Sequence, residues 1–315
     1  MSAALWRSVA GRLGGSVVVA WGSTTAAFVA LHALPGNIAD ILAGDLDYPG
    51  LREAIAAEWG LDRSLAAQYV DFVRRIALGD FGTSYQLRLP VTEVIGQQLG
   101  PTLQLTAAAL ILAVLIALLA AVLVHGRRAR AIASVLELVA ISSPPFWIGL
   151  VLLAVFAFGL GWFPVAGADG LRGLVLPALT IALPVAGILG QVLRTGLEDA
   201  EAQPFATTAR ARGVTQARLV LRHTLRHAAI PSLTLAGYIV GSLLGGAVIV
   251  ESVFGRPGLG RVALAAITNR DLPVVMGIIV FTAIVFVLVN LLVDLAYRLI
   301  DPRIVAPTAA IRGAR

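Results

Sequence analysis

Six apolar runs, each about 20 residues long and nearly free of charge, alternate with polar segments along this chain. They cover 13–34, 101–124, 132–160, 175–194, 230–250 and 273–297. In hydrocarbon such a run satisfies its backbone donors and acceptors by closing into a helix. The pattern therefore predicts an all-α membrane protein with six transmembrane helices. The third run is the longest and contains Pro144-Pro145, so a bend or break is expected there. The first run follows Arg7 and Arg12 and exceeds the about 7–15 apolar residues of a signal peptide. It is expected to be retained as the first span.

The polar segments are unequal. Residues 35–100 form the longest, with nine acidic residues against five arginines. Within it, Leu51–Trp59 and Leu65–Leu78 carry apolar residues at helical spacing, which predicts a small helical cap. The chain then divides into an N-terminal tail and first span (1–34), an extracytoplasmic helical segment (35–100), a five-helix core (101–300) and a tail (301–315). The core holds a long loop at 195–229.

Six spans place both termini on one side. The segments on that side hold 15 arginines, including the cluster at Arg127, Arg128 and Arg130 and five between Arg210 and Arg226; the opposite set holds nine. Positive charge marks the cytoplasmic face, so the termini and the 195–229 loop are expected there.

Composition narrows the function classes. Residues are 58% hydrophobic and only 13% charged, whereas soluble domains are about a quarter charged. The chain has no cysteine and no lysine; its 24 basic side chains other than histidine are all arginine. Thiol nucleophiles, Schiff bases and the lysine of a phosphate-binding P-loop are thereby excluded. If ATP drives this protein, another chain binds it. A net charge of +6 gives no reason to expect nucleic acid.

The loop after the fourth span differs from a simple connector. Pro204 suits the first turn of a helix. Phe205, Ala206 and Ala209 give a small apolar face, Arg210, Ala211 and Arg212 follow, and Gly213 ends the helix. A second helix is expected over 215–229, with Arg218, Arg222 and Arg226 on one face. Such a basic element either docks on a partner protein or lies on anionic lipid headgroups.

Polar residues in or near the spans are Gln104, Glu137, Gln191, Asn290 and Asp294. They line a pathway or join helices to one another. Asp294 lies one turn from Arg298, which suits a local ion pair. Glu251 and Arg261 bracket a loop containing Pro257, Gly258 and Gly260, read either as a gate or as a rigid turn. Glu137, Gln191, Glu251 and Asn290 are the candidate pathway or gate residues. His223 and His227 are one turn apart, but without a third ligand they define no metal site.

Ordered motifs along the chain carry a family resemblance. They are Leu34-Pro35-Gly36-Asn37, Gly60-Leu61-Asp62-Arg63 with Gln68-Tyr69, Gly79-Asp80-Phe81-Gly82-Thr83-Ser84, and Pro144-Pro145-Phe146-Trp147-Ile148-Gly149. Later come Val250-Glu251-Ser252-Val253-Phe254, Pro257-Gly258-Leu259-Gly260-Arg261, Arg270-Asp271-Leu272-Pro273 and Asn290-Leu291-Leu292-Val293-Asp294. Together they resemble the ABC-importer permeases of the dipeptide, oligopeptide and nickel branch. Two positions depart: Asn37 stands where that family carries aspartate, and Pro204 where an acidic residue is usual.

The resemblance implies a type I importer fold and a transport subunit, not an enzyme. It makes the 195–229 loop a coupling loop, with Phe205, Ala209, Arg210, Ala211, Arg212 and Gly213 meeting an ATPase. Two ATPase subunits would hold ATP and magnesium, and this chain no cofactor. A second homologous permease, an extracytoplasmic binding protein and membrane lipid are the other expected partners, and a bacterial inner membrane the location. Peptides are the implied substrates, with nickel, a metal chelate or glutathione as alternatives. An autonomous secondary transporter would call for internal repeats and central charges. An intramembrane enzyme would call for a convergent catalytic set. Neither feature is evident in the sequence.

Overall fold

The computed structural model describes residues 14–15, 17–19, 21–26, 28–30, 50–60, 62–124, 126–167, 170–225 and 235–300. These are almost wholly helical. In chain order the helices are α1 (Val17–Ala30), α2 (Leu51–Trp59), α3 (Leu65–Ala77), α4 (Val91–Leu123), α5 (Arg127–Ser142) and α6 (Pro145–Leu152). Then follow α7 (Leu171–Glu201), α8 (Pro204–Ala211), α9 (Gln216–Leu219), α10 (Ala236–Val253), α11 (Leu259–Thr268) and α12 (Leu272–Ile300). Wider π-helical turns extend α6 over Leu153–Gly159 and α9 over Val220–Thr224. Among the described residues the sole strand-like pairing is the bridge between Thr83 and Pro90.

Three described helices are long and apolar enough to cross a membrane: α4, α7 and Leu272–Val289 of α12. The pair α5–α6 becomes a fourth if it counts as one span, with a bend of 109°. That bend is the break expected at the proline pair. Ser143 and Pro144 are extended and Pro145 occupies the first helical turn, where a missing N–H costs nothing.

Helices outrun the apolar runs that announce them. α4 begins at Val91, ten residues before its run, because its first turns are amphipathic and bury Val91, Val94 and Ile95. α7 extends to Glu201, past the apolar run that ends near 194.

The chain forms two compact units. The first comprises residues 1–103 and 257–287. Its core joins Val91, Val94 and Ile95 to Leu259, Ala266, Val274 and Ile278. α4 and α12 cross closely at Gly277: a Cβ there would lie 2.4 Å from Val91 Cγ1. α1 meets α3 through Thr25 and Tyr69, whose hydroxyls are 2.7 Å apart, and through Phe28 against Tyr69 and Phe72.

The second unit comprises 104–256 and 288–315. Leu105, Ala109, Ala113 and Ala117 recur every four residues and form the buried stripe of α4. They pack with Ile181, Val185 and Leu189 of α7 and Leu243, Ala247 and Val250 of α10. Ile111, Leu115 and Leu119 of α4 stay exposed. Lipid tails are as apolar as leucine, so helix association here depends on close packing of small residues. Gly149 does this for α6: a Cβ would stand 3.2 Å from Phe254 and 3.4 Å from Thr180.

Candidate functional site

The loop after α7 folds into the short helix that its residues predict. α8 starts with Pro204 in its first turn. It ends where Gly213 takes φ 74°, a left-handed conformation that glycine adopts without strain. Gly213 N–H donates to Arg210 O at 2.9 Å, and Val214 N–H donates to Ala209 O at 3.2 Å. This double closure is a Schellman motif.

α8 has an inner and an outer side. Ala206 is fully buried, so it packs within this chain and is not available to a partner. Phe205, Ala211, Arg212 and Gly213 are exposed, and Ala209 is half-buried. Arg210 turns back toward α7: Nη2 lies 3.0 Å from Glu201 Oε2, and Nη1 donates to Glu201 O at 3.3 Å. The sequence reading groups Arg210 with Arg212, but the structure gives Arg210 an intramolecular partner. The second helix forms where expected over the described residues: α9 passes at Val220 into π-helical turns that run to Thr224. Residues 226–229 lie outside the described residues, as do His227 and the side chain of His223.

A run of ion pairs continues from Glu201. Arg130 of α5 approaches Glu198 at 3.5 Å and Glu201 at 3.9 Å. Further along, Arg194 of α7 pairs with Glu137 of α5. Glu137 also lies over α7, because a Cβ on Gly190 would come within 2.8 Å of its Oε1. Glu137 thus joins two helices, and a narrow cleft of about 40 Å³ runs along the pairs from Glu137 to Glu201. Glu137 also lines an apolar cleft of about 520 Å³, together with Ile116, Leu136, Trp147, Val151 and Leu183.

The other candidates are dispersed. Gln191 is half-buried on α7. Glu251 is fully buried in the last turn of α10, where its carbonyl accepts from Arg256 N–H at 2.9 Å. Arg256 is itself buried and donates to Gly173 O at 3.0 Å. Asn290 lies in α12, and its side chain, like those of Asp294 and Arg298, is outside the described residues.

Sequence reasoning missed one site in the first unit. Asp271, 2% exposed, accepts from Ser84 Oγ at 2.5 Å, Tyr85 N–H at 3.1 Å and Gln86 N–H at 3.2 Å. Ser84 Oγ in turn accepts from Leu87 N–H at 2.9 Å. One carboxylate thereby sets the path of the 84–87 turn. Burial, and secondarily the Asp271 charge, pushes the Tyr85 phenol up to about 12. The signal was present in the motifs Gly79–Ser84 and Arg270–Asp271, but a residue separation of 187 concealed their meeting.

Comparison with known proteins gives this fold and loop their context. Residues 113–306 match the family described as binding-protein-dependent transport system inner membrane component. Over a longer stretch, the chain is 37% identical over 280 residues to the glutathione transport system permease protein GsiC of Salmonella choleraesuis (strain SC-B67). The match covers 88% of this chain and 92% of that relative. GsiC of Salmonella typhi gives the same figures, and GsiC of Escherichia coli (strain K12) is 36% identical over 280 residues with the same coverage. The chain belongs to the binding-protein-dependent inner membrane permease family. It is an ABC importer permease of the peptide and nickel type, and its apolar helices are those of an inner-membrane transport subunit.

Proposed function

We propose that this chain forms half of an ATP-driven pathway for short peptides, glutathione included, in a bacterial inner membrane. Two ATPase subunits bind ATP and magnesium, a second homologous permease completes the pathway, and an extracytoplasmic binding protein delivers substrate. Both termini and α8 face the cytoplasm, as the arginine distribution favours. ATP-driven closure of the ATPases moves α8, which moves the spans.

The observation that carries this reading is the shape of α8. A two-turn helix is closed at its end by Gly213 and held on its inner side by Ala206 and Arg210. Phe205, Ala211 and Arg212 remain exposed. That is the form expected of a knob entering a groove. The peptide assignment rests on relatives named for glutathione transport; glutathione is a tripeptide and shares its carboxylates and amides with other short peptides.

Cysteine is absent from the chain, so Ala211→Cys carries a thiol-anchored photo-crosslinker at one position. In native membranes the label is expected on an ATPase subunit; labelling of lipid alone overturns the docking role. Gly213→Val is expected to uncouple transport from hydrolysis, because a β-branched residue resists φ 74°. Uptake of labelled glutathione, a dipeptide and nickel in proteoliposomes with the binding protein then ranks the substrates. Transport of nickel without either peptide overturns the peptide assignment.

A further inference from the structure

α5 and α7 run antiparallel along a seam. On α7 the facing residues are Gly187, Gly190, Arg194, Glu198 and Glu201, spaced three or four apart and so on one stripe. On α5 they are Ile141, Glu137 and Arg130. The glycine end is rigid: a Cβ on Gly187 would sit 2.9 Å from Glu137 O and from Ile141 Cγ1. The other end carries the ion pairs of Arg130 with Glu198 and Glu201.

Those charges are wrong for their own helices. Arg127, Arg128 and Arg130 stand at the N-terminus of α5, and Glu198, Asp199 and Glu201 at the C-terminus of α7. A helix dipole disfavours cations at its N-terminus and anions at its C-terminus. The antiparallel arrangement brings each set opposite the end that favours it. Arg210 from α8 then closes the series, meeting both the carboxylate of Glu201 and its main-chain carbonyl. That carbonyl belongs to the last turn of α7, where no intrahelical donor remains.

We propose that Glu201 is a positioning residue that transmits movement of α8 to α5, with Arg210 as the latch on one side and Arg130 as the receiver on the other. The inference rests on the coupling role of α8 and divides its arginines: Arg210 acts inward through Glu201, while Arg212 faces outward. Ion pairs suit this task because they stretch, break and re-form without repacking a core. Side-chain exposures of 17% for Glu201, 40% for Arg130 and 42% for Arg210 leave the pairs reachable by water and able to exchange.

The experiment compares Glu201→Gln, Arg130→Gln and their double variant in the assembled transporter. Each preparation is measured for ATPase subunits recovered per permease, for thermal stability, and for substrate moved per ATP hydrolysed. Recovery and stability are expected to hold, while the transport ratio falls about fivefold in each single variant. The double variant is expected to fall no further, since both changes cut one link. Glu201→Asp keeps the charge and is expected to recover part of the ratio. An unchanged ratio in Glu201→Gln overturns the proposal, as does an additive double variant or a ratio that follows loss of stability. Failure of the Ala211→Cys label to reach an ATPase strikes the coupling role of α8 instead, which separates the two readings.

Discussion

The turn held by Asp271 and the ion pairs around Glu201 both use a carboxylate, yet they are built for opposite purposes. Asp271 is buried and receives short donors from one hydroxyl and two backbone N–H groups. Backbone donors cannot swing away, so the turn has one geometry. Glu201 meets two arginines whose side chains are 40% and 42% exposed, at 3.9 and 3.0 Å. Long guanidinium side chains in partial contact with water can exchange partners. The first arrangement stores stability; the second permits motion while preserving connection.

Substitution sharpens that contrast, and Asp271→Ala has the largest expected effect. It strands the buried Ser84 hydroxyl and removes the acceptor of the part-buried Tyr85 and Gln86 N–H groups, and should cost about 3 kcal/mol, measured by thermal unfolding in detergent. A loss below about 1 kcal/mol would equate the anchor with a surface pair. Gly277→Ala comes next: the added methyl enters the space of Val91 in the same unit, and overpacking of this kind costs about 2 kcal/mol. The companion change Val91→Ala should recover part of it. Glu201→Gln is expected to alter stability by less than about 1 kcal/mol, because screened pairs contribute little. A large loss there would make the ion pairs structural after all.

The smallest effect is a pH dependence. The Tyr85 phenol is raised from 10.0 to about 12 in the folded chain. Between those values the unfolded chain releases its proton while the folded chain keeps it, so stability is full below pH 10 and declines toward pH 12. Tyr85→Phe should flatten the decline over that window. An identical slope in the variant would assign it to other groups.

Much of the helical plan was legible because hydrocarbon leaves few choices. The runs that became α4, α7 and α12 announced themselves by length and polarity alone. Pro144-Pro145 marked the break, and Pro204 with Gly213 marked the two ends of α8. Helix limits were less legible. Val91, Val94 and Ile95 begin α4 outside its apolar run, and their burial depends on Leu259, Val274 and Ile278. Glu137 could be singled out as an ionisable residue near hydrocarbon, but nothing local named Arg194 as its partner 57 residues away.

By itself the sequence determined the class, the long apolar helices α4, α7 and α12 and the existence of a capped basic helix in a long loop. These follow from local rules: the length of an apolar run, the lost N–H of proline and the left-handed freedom of glycine. Tertiary structure decided what each charge does. It turned Arg210 inward to Glu201, placed Ala206 in the interior, set Glu137 across Gly190 and brought Ser84 to Asp271. The physical reason is that charge pairing and close packing depend on distances between helices, and residues far apart in the chain acquire those distances only on folding.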